Sequence, residues 1–251
     1  MVLTLPAPTL PGETTPAHRA TVAAAPDHIY RLADVIRIFR EGDMETIALR
    51  GVDLDIERGR FVALMGRSGS GKSTLLGLLA GADRPSAGKV TFRDTDLGRA
   101  SEATLQQLRG REISLLFQSD NLVPFLSLTE NMDLAASLAG RSLDDGLAGA
   151  ILDRVGLIDR ARHRPGQLSG GEQQRAALAC ILASAAPVLL MDEPTAELDS
   201  RTAGVVLDLV RQIQEEHRLT VVLATHDAAV AGGADRIVTL GSGRITDDWS
   251  V

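Results

Sequence analysis

Gly66-Arg67-Ser68-Gly69-Ser70-Gly71-Lys72-Ser73 is the segment from which the fold class of this chain follows. It matches the pattern G-x-x-x-x-G-K-[S/T], whose glycines let backbone N–H groups turn toward nucleotide phosphates. The pattern is meaningful only between a strand and a helix. The chain supplies the apolar run Phe61–Met65 before it and a helical pattern over Lys72–Ala80 after it. The sequence therefore predicts an α/β fold that binds nucleotide phosphates.

Residues of this phosphate loop have separate predicted tasks. Lys72 brings a positive charge to the β- and γ-phosphates, and the Ser73 hydroxyl is placed to bind magnesium. The helix that follows adds the positive end of its dipole. The predicted phosphate-binding residues are Gly66, Arg67, Ser68, Gly69, Ser70, Gly71, Lys72, Ser73 and Thr74.

A second motif places two carboxylates at the end of an apolar run. Val188–Met191 has the character of a strand that is buried on both faces, and Asp192 and Glu193 follow it directly. The carboxyl end of such a strand belongs to the ligand-binding edge of an α/β sheet. We expect Asp192 to hold magnesium, and Glu193 to orient the attacking water or accept a proton from it.

A third motif, Leu168-Ser169-Gly170-Gly171-Glu172-Gln173-Gln174-Arg175, is called the signature segment below. Together with the two motifs above, Gln118 after an apolar run, and His226 within Ala224-Thr225-His226-Asp227, it makes the chain resemble the ATP-binding subunit of an ABC (ATP-binding cassette) transporter. The resemblance covers about residues 29–247. It implies a P-loop ABC ATPase fold with a mainly parallel core sheet, an antiparallel β subdomain and a helical subdomain at about 119–170.

The resemblance also implies that a second copy of the chain completes each site. In a head-to-tail dimer, ATP would lie between the phosphate loop of one subunit and Ser169, Gly170 and Gly171 of the other. The positive end of the signature helix would then face the γ-phosphate. Asp199, in Ala196-Glu197-Leu198-Asp199, would lie at the dimer seam.

Catalytic roles are likewise implied by the resemblance. Gln118 would sense magnesium and the attacking water, and His226 would hold the γ-phosphate. The implied cofactors are ATP and Mg²⁺. The catalytic set is Glu193, His226, Gln118 and Lys72, and the metal-binding set is Ser73, Gln118 and Asp192.

The base of the nucleotide has one candidate contact. The family places an aromatic residue some two dozen positions before the phosphate loop, and Phe39 matches that place, with Tyr30 as the alternative. An aromatic ring stacks on any base, so we expect weak discrimination between ATP and GTP. The competing interpretation of Phe39 is a strand residue that packs inward.

Four further segments resemble the subgroup that serves lipoprotein release, macrolide export and bacterial cell division. This subgroup works with an integral-membrane permease, and we expect the permease to dock near Pro124 and Phe125. Two alternatives remain: an ATPase that regulates a cell-wall or division complex without transport, and an ABC ATPase of translation or DNA repair. The segments are Ala48–Val52, Phe117–Pro124, Glu197–Ser200 and Ala234–Arg236.

Composition limits the class of protein. The 251 residues carry a net charge of −7 and are 44% hydrophobic, which indicates a globular chain and argues against broad nucleic-acid binding. No apolar run approaches the roughly 20 residues that span a bilayer. The single cysteine, Cys180, is interpreted as a buried structural thiol. A single cysteine fits the reducing cytoplasm, and the resemblance implies a cytoplasmic protein that is peripheral on the inner face of the cell membrane.

Domain organisation follows from the distribution of proline and of apolar patterns. Residues 1–27 hold five of the ten prolines and are predicted to be a disordered leader, with a cleaved signal peptide as the less favoured alternative. Residues 28–251 are predicted to form the ATP-binding domain. The predicted strands include Ile29–Ile38 and Arg244–Thr246, and the predicted helices include Ser101–Leu108, Asp144–Val155 and Gly171–Ala185.

Overall fold

The computed structural model describes residues 27–42 and 44–250. The predicted leader, residues 1–27, therefore lies outside the described residues apart from Asp27. In the described ranges, no helix has the length and apolarity needed to cross a membrane. The strands are β1 (His28–Glu41), β2 (Met44–Glu57), β3 (Phe61–Met65), β4 (Ala87–Phe92), β5 (Thr95–Asp96), β6 (Ile113–Leu116), β7 (Val188–Asp192), β8 (Thr220–Thr225), β9 (Arg236–Gly241) and β10 (Arg244–Ser250). The helices are α1 (Lys72–Leu79), α2 (Glu102–Arg111), α3 (Leu128–Leu138), α4 (Asp145–Arg154), α5 (Gly170–Ser184), α6 (Ser200–His217) and α7 (Ala228–Ala231).

The larger sheet has six strands in the order β10-β9-β3-β8-β7-β6. Strands β9, β3, β8, β7 and β6 run parallel, and β10 pairs antiparallel with β9 at one edge. Parallel strands need helical crossovers, which cover both faces and account for the apolar character of β7 and β8. The predicted mainly parallel core sheet is confirmed.

Alternate residues of the central strand β3 belong to two separate apolar layers. Phe61 and Ala63 pack with α5 and α6, whereas Val62 and Leu64 pack with α1 and the smaller sheet. Because successive side chains of a strand point to opposite faces, one strand serves both cores. This arrangement holds α1, and with it the phosphate loop, firmly against the sheet.

The smaller sheet is antiparallel, with the order β2-β1-β4-β5, as predicted for the first part of the chain. Strand β1 runs three residues beyond the predicted end at Ile38, so that Phe39 pairs with Thr46 inside the ladder. Its far end is exposed, and an apolar pattern does not mark exposed strand positions. Within the ladder, Ile38 pairs with Ile47 but Arg37 pairs with Leu49, which leaves Ala48 as an extra residue in a β-bulge.

Several predicted boundaries shift for identifiable reasons. Ser101 and Asp144 were predicted inside helices, but each lies just outside as an N-cap whose side chain accepts a backbone N–H bond. Strand β10 extends to Ser250, four residues beyond the predicted end, through Asp247 and Asp248. Aspartates are unfavourable in strands, but Arg236 pairs with Asp248 at 2.6 Å across the ladder and offsets that preference.

Helices α3 and α4 lie between β6 and α5, in the region predicted as a helical subdomain. They pack on α5 through Met132, Ala136, Ile151 and Leu152. Two short 3₁₀ turns, Ile158–Arg160 and Pro165–Gln167, connect α4 to the signature segment. The domain boundaries themselves remain predictions.

Cys180 lies on α5, where it is half-buried and packs against the helical core, so it is less enclosed than the predicted buried thiol. Burial raises the pKa of its thiol to about 12. Because the thiolate is the reactive form, we expect alkylation of the folded protein by iodoacetamide at pH 7.5 to be much slower than alkylation of the urea-unfolded chain. Mass spectrometry over a time course checks this expectation, and equal rates in the two states would contradict it.

Candidate nucleotide site

A cleft of about 1040 Å³ brings together residues from distant parts of the chain. The phosphate loop, the acidic end of β7, the end of β8 and the β1–β2 hairpin all contribute to its wall. Of the residues predicted from the sequence, the cleft is lined by Phe39, Ser68, Gly69, Gly71, Lys72, Ser73, Thr74, Gln118, Asp192, Glu193 and His226.

The register of the parallel sheet explains why these residues meet. Met65 pairs with Thr225 across β3 and β8, and Asp192 pairs with Ala224 across β7 and β8. These three strands therefore end at the same edge, and the residues that follow them emerge side by side. The phosphate loop, Glu193 and His226 are brought together in this way.

The N-terminus of α1 differs from that of every other described α-helix. The other six begin with a Ser or Asp side chain that accepts a backbone N–H bond. The N-cap residue of α1 is Gly71, which has a φ of 107° and no side chain to cap the helix. Its first N–H groups are thus available to an anion, and the helix dipole favours negative charge there.

Close packing explains two of the loop glycines. A Cβ atom on Gly66 would lie 2.4 Å from the carbonyl oxygen of Leu240, and one on Gly71 would lie 2.8 Å from that of Ala48. Both residues also have positive φ angles, which disfavour other residue types. The loop therefore fits between β9 and the bulge of β2 only with glycine at these positions.

Lys72 is 6% exposed, and its ammonium group is fully engaged within the loop. Its Nζ donates to the carbonyl oxygen of Gly66 at 2.8 Å and to that of Arg67 at 3.4 Å, and it lies 3.4 Å from Oε1 of Glu193. A buried cation needs such partners. Phosphate oxygens would compete with these acceptors for the same ammonium group.

Glu193 stands in a conformation that is rare for its residue type. Its φ is +48°, in the left-handed region, and its N–H donates to the carbonyl of Ala224 at 3.0 Å. Its two carboxylate oxygens lie 3.1 and 3.0 Å from Nδ1 of His226. Strained backbone held by surrounding structure is common at catalytic sites. Here it directs the carboxylate toward both Lys72 and His226.

Asp192 supplies an oxygen with no partner. Its Oδ1 atom is buried and accepts no hydrogen bond from the described residues. Ser73 is exposed within the same cleft, and its hydroxyl is a second oxygen ligand of the type that Mg²⁺ prefers. An orphaned carboxylate oxygen beside a phosphate-binding loop fits a divalent cation.

The signature segment lies away from this cleft. Ser169 caps α5 and forms a capping box with Glu172, and Ser169, Gly170 and Gly171 are absent from the cleft wall. Bonds from the backbone and hydroxyl of Ser169, and then from Arg160, lower the pKa of Glu172 to about 2. The start of α5 is therefore a rigid, preorganised surface.

Asp199 belongs to the same surface as the signature segment. It caps α6, and bonds from Thr202 lower the pKa of its carboxyl group. A Cβ atom on Gly171 would lie 2.3 Å from the Thr202 methyl group, so the starts of α5 and α6 are in close contact. The starts of α5 and α6 therefore form a second surface whose capping residues, Ser169 and Asp199, do not line the cleft.

The structure distinguishes between the two candidates for the aromatic residue that stacks on the base. Tyr30 is fully buried, packs on Phe92 and donates its hydroxyl to Leu79, so the alternative assignment is wrong. Phe39 is 42% exposed and lines the cleft, so the inward-packing interpretation is wrong as well.

A protein-family model described as "ABC transporter" matches residues 49–196, a range that holds the phosphate loop, the signature segment and the acidic end of β7. The chain belongs to the ABC transporter family.

Relatives and solved structures agree with that membership. A lipoprotein-releasing system ATP-binding protein LolD of Chromohalobacter salexigens is 40% identical over 84% of this chain and 90% of that protein. Macrolide export ATP-binding/permease protein MacB 2 of Aeromonas hydrophila is 40% identical over 88% of this chain, but this ABC chain spans only 34% of that protein. The ATP-binding cassette MJ0796, solved as a dimer in a post-hydrolysis state with ADP and Pi, matches with a TM-score of 0.81 and 36% identity, over 88% of this chain and 98% of that one.

Gln118 connects the cleft of this ABC subunit to the rest of the chain. Its backbone carbonyl accepts a bond from the side chain of Gln174 at 2.6 Å, and its side-chain amide donates to Glu197 at 3.3 Å. Gln174 belongs to the signature segment, and Glu197 lies two residues before Asp199. Gln118 is therefore hydrogen-bonded to both segments that carry Ser169 and Asp199.

Some residues of this site were missed by sequence reasoning. Glu197 and Gln174 bond to Gln118 without lining the cleft, and nothing in the sequence motifs that contain them indicates this contact. Thr46, Ile47 and Ala48 of β2 also line the cleft, and the bulge at Ala48 brings this strand against Gly71. Nothing in the sequence marks a bulge, because it depends on how two distant strands pair.

Proposed function

We propose that this chain is the ATP-hydrolysing subunit of a transport or mechanotransmission complex, and that it works as a head-to-tail dimer. The observation that carries the proposal is the separation of two surfaces within one chain. The cleft holds the phosphate loop, Glu193 and His226, whereas Ser169 and Asp199 lie on a different surface. The dimeric cassette MJ0796, with its ADP and Pi, supports this interpretation. A second copy brings the two surfaces together.

The geometry of the cleft supports the following roles for residues within each composite site. Lys72 and the uncapped start of α1 bind phosphates, and Phe39 stacks on the base. Ser73, Asp192 and Gln118 would hold Mg²⁺, which would neutralise developing charge on the phosphates. Glu193 orients the attacking water and takes its proton.

His226 positions the catalytic carboxylate in this scheme. It lies 3.0 Å from Glu193 and is itself exposed to the cleft, so it can contact both the carboxylate and the γ-phosphate. Ser169 and the start of α5 of the second copy close over the γ-phosphate. Hydrolysis removes that phosphate and releases the dimer.

The partner of this dimer is a separate membrane permease, and the chain is cytoplasmic and peripheral on the inner face of the membrane. The names of the relatives support this part of the proposal, since one is an ATP-binding protein of a releasing system and another combines ATP-binding and permease in one chain. The region that aligns with this chain is one third of that combined protein. The transported molecule is selected by the permease.

An ATP-trapped pull-down tests the proposed function. The Glu193→Gln variant is expressed in its own host, membranes are solubilised gently with Mg-ATP, and copurified proteins are identified by mass spectrometry. A matched pull-down with Lys72→Met, which is expected not to close on ATP, removes background proteins. Recovery of a permease in the first sample alone supports the proposal. Recovery of ribosomal or DNA-repair proteins without any membrane protein would retire it.

Docking of the permease near Phe125 is a separate prediction. Phe125 is 70% exposed, on a loop held from within by Asn131, whose side chain bonds to the backbone of Val123, Leu126 and Ser127. An exposed aromatic residue on a rigid loop is a strong candidate for an interface contact. We expect Phe125→Asp to reduce permease recovery about tenfold or more while leaving ATP binding unchanged.

Leu147→Asp is the matched control for this substitution, because Leu147 is also an exposed apolar residue, on α4. It is expected to leave permease recovery unchanged. Equal recovery with Phe125→Asp and with the unmodified protein would remove Phe125 from the docking surface.

A further inference from the structure

Arg37 lies directly against the ring of Phe39. The central carbon of its guanidinium is 4.3 Å from the ring centroid, well within the range of a cation–π contact. Phe39 lines the nucleotide cleft, whereas Arg37 is absent from the cleft wall. Arg37 therefore contacts the ring without lining the cleft, and Phe39 itself stays 42% exposed.

The guanidinium is itself held in place. Its Nε donates to Oδ2 of Asp83 at 2.7 Å, and the two side chains are only 22% and 28% exposed. Nη1 donates weakly to the carbonyl of Ile38 at 3.4 Å. A half-buried, hydrogen-bonded ion pair fixes the orientation of a planar guanidinium much better than an exposed one does.

Asp83 connects this contact to the phosphate loop. Its N–H donates to the carbonyl of Gly77 at 3.1 Å, so it is fixed to the last turn of α1, the helix that begins at the phosphate loop. Ser86, three residues after Asp83, also bonds to β1, since its hydroxyl accepts the N–H of Ile38 at 3.0 Å. The aromatic ring is thus positioned relative to the helix that binds the phosphates.

We propose that Arg37 is a positioning residue for the nucleotide base: with Asp83 it holds the Phe39 ring in the orientation that stacks on a purine. The inference rests on the base-stacking role of Phe39 given above. A fixed ring loses less conformational freedom when a base binds, and the cation against it draws electron density from the ring. Both effects strengthen stacking, and neither acts on the phosphates.

Calorimetric titration with ADP and with inorganic pyrophosphate separates these effects. Both ligands bind the phosphate loop without being hydrolysed, but only ADP carries a base. Arg37→Met keeps the aliphatic stem and removes the cation, and we expect it to weaken ADP binding about three- to tenfold with pyrophosphate binding unchanged. Arg37→Lys, which keeps the charge, is expected to recover part of the loss.

Phe39→Ala, titrated in the same way, distinguishes failure of this inference from failure of the proposed base contact. If Phe39→Ala leaves ADP binding unchanged, the base-stacking role itself is wrong. If Phe39→Ala weakens ADP but Arg37→Met does not, or if Arg37→Met weakens ADP and pyrophosphate equally, only the role of Arg37 is overturned. A double variant no weaker than Phe39→Ala alone supports action through the ring.

Loss of the Arg37–Asp83 ion pair also lowers the stability of the fold. A second variant therefore distinguishes loss of base binding from loss of folded protein. Asp83→Asn leaves the guanidinium present but weakens its anchor, and we expect a smaller loss of ADP binding, again with pyrophosphate unchanged. Thermal unfolding of each variant is followed by circular dichroism. An Asp83→Asn protein that folds and loses affinity for both ligands equally would assign this pair a structural role only.

Discussion

Glu193→Gln is expected to bind ATP as the unmodified chain does and to hydrolyse it about 10² to 10⁴ times more slowly, the usual contribution of a general base. The carboxylate is the only acidic group in contact with both Lys72 and His226 in the described structure. Glutamine keeps its length and its hydrogen-bonding capacity but cannot take a proton. Steady-state phosphate release and nucleotide binding, measured on the same preparation, separate the two functions.

This variant also reports on the dimer. With hydrolysis blocked, Mg-ATP should accumulate a closed dimer that elutes earlier in size-exclusion chromatography, whereas the unmodified chain returns to its original elution position as it consumes ATP. Glu216→Gln is a matched control, because it makes the same chemical change in a carboxylate on α6 that pairs with Arg154 and does not line the cleft. Turnover by Glu193→Gln at the unmodified rate would mean that another group activates the water.

We expect that mixing two inactive variants restores ATP hydrolysis. Lys72→Met disables the phosphate loop, and Ser169→Asp places a negative charge where the γ-phosphate of the other subunit is expected. In a head-to-tail dimer of one variant with the other, one site holds both changes and the second site holds neither. Half of randomly formed dimers are mixed and half of their sites are intact, so about a quarter of full activity is expected if sites act independently.

The choice of Ser169→Asp follows from the local structure. Aspartate accepts the backbone N–H bond at an N-cap as serine does, whereas a bulkier change at Gly171 would strike Thr202. Because aspartate loses the hydroxyl bond to Glu172 and places a second carboxylate beside it, circular dichroism of the variant must first show that the helices are retained. Ser169→Asn caps equally well without charge and serves as the control, with much of its own activity retained. Hydrolysis by the mixture no greater than the sum of the separate variants would contradict a shared site.

The phosphate loop, the acidic end of β7 and the signature segment were recognisable because each is a short motif whose chemistry depends on residues adjacent in sequence. The β1–β2 contribution to the cleft was not recognisable, apart from Phe39. The bulge at Ala48 depends on the pairing of two strands, and the contact of Arg37 with Phe39 depends in turn on Asp83, 46 positions away. Sequence patterns record local spacing and do not record such pairings.

The sequence by itself determined the fold class, the nucleotide chemistry and the family, because glycines, a lysine and a carboxylate pair at fixed local spacing are what phosphate binding requires. Only the tertiary structure decided which residues share a site. It placed Glu193 against Lys72 and His226, held Phe39 at the cleft and buried Tyr30. It also put Ser169 on a separate surface, because strand order and helix packing, which act between distant segments, set these distances.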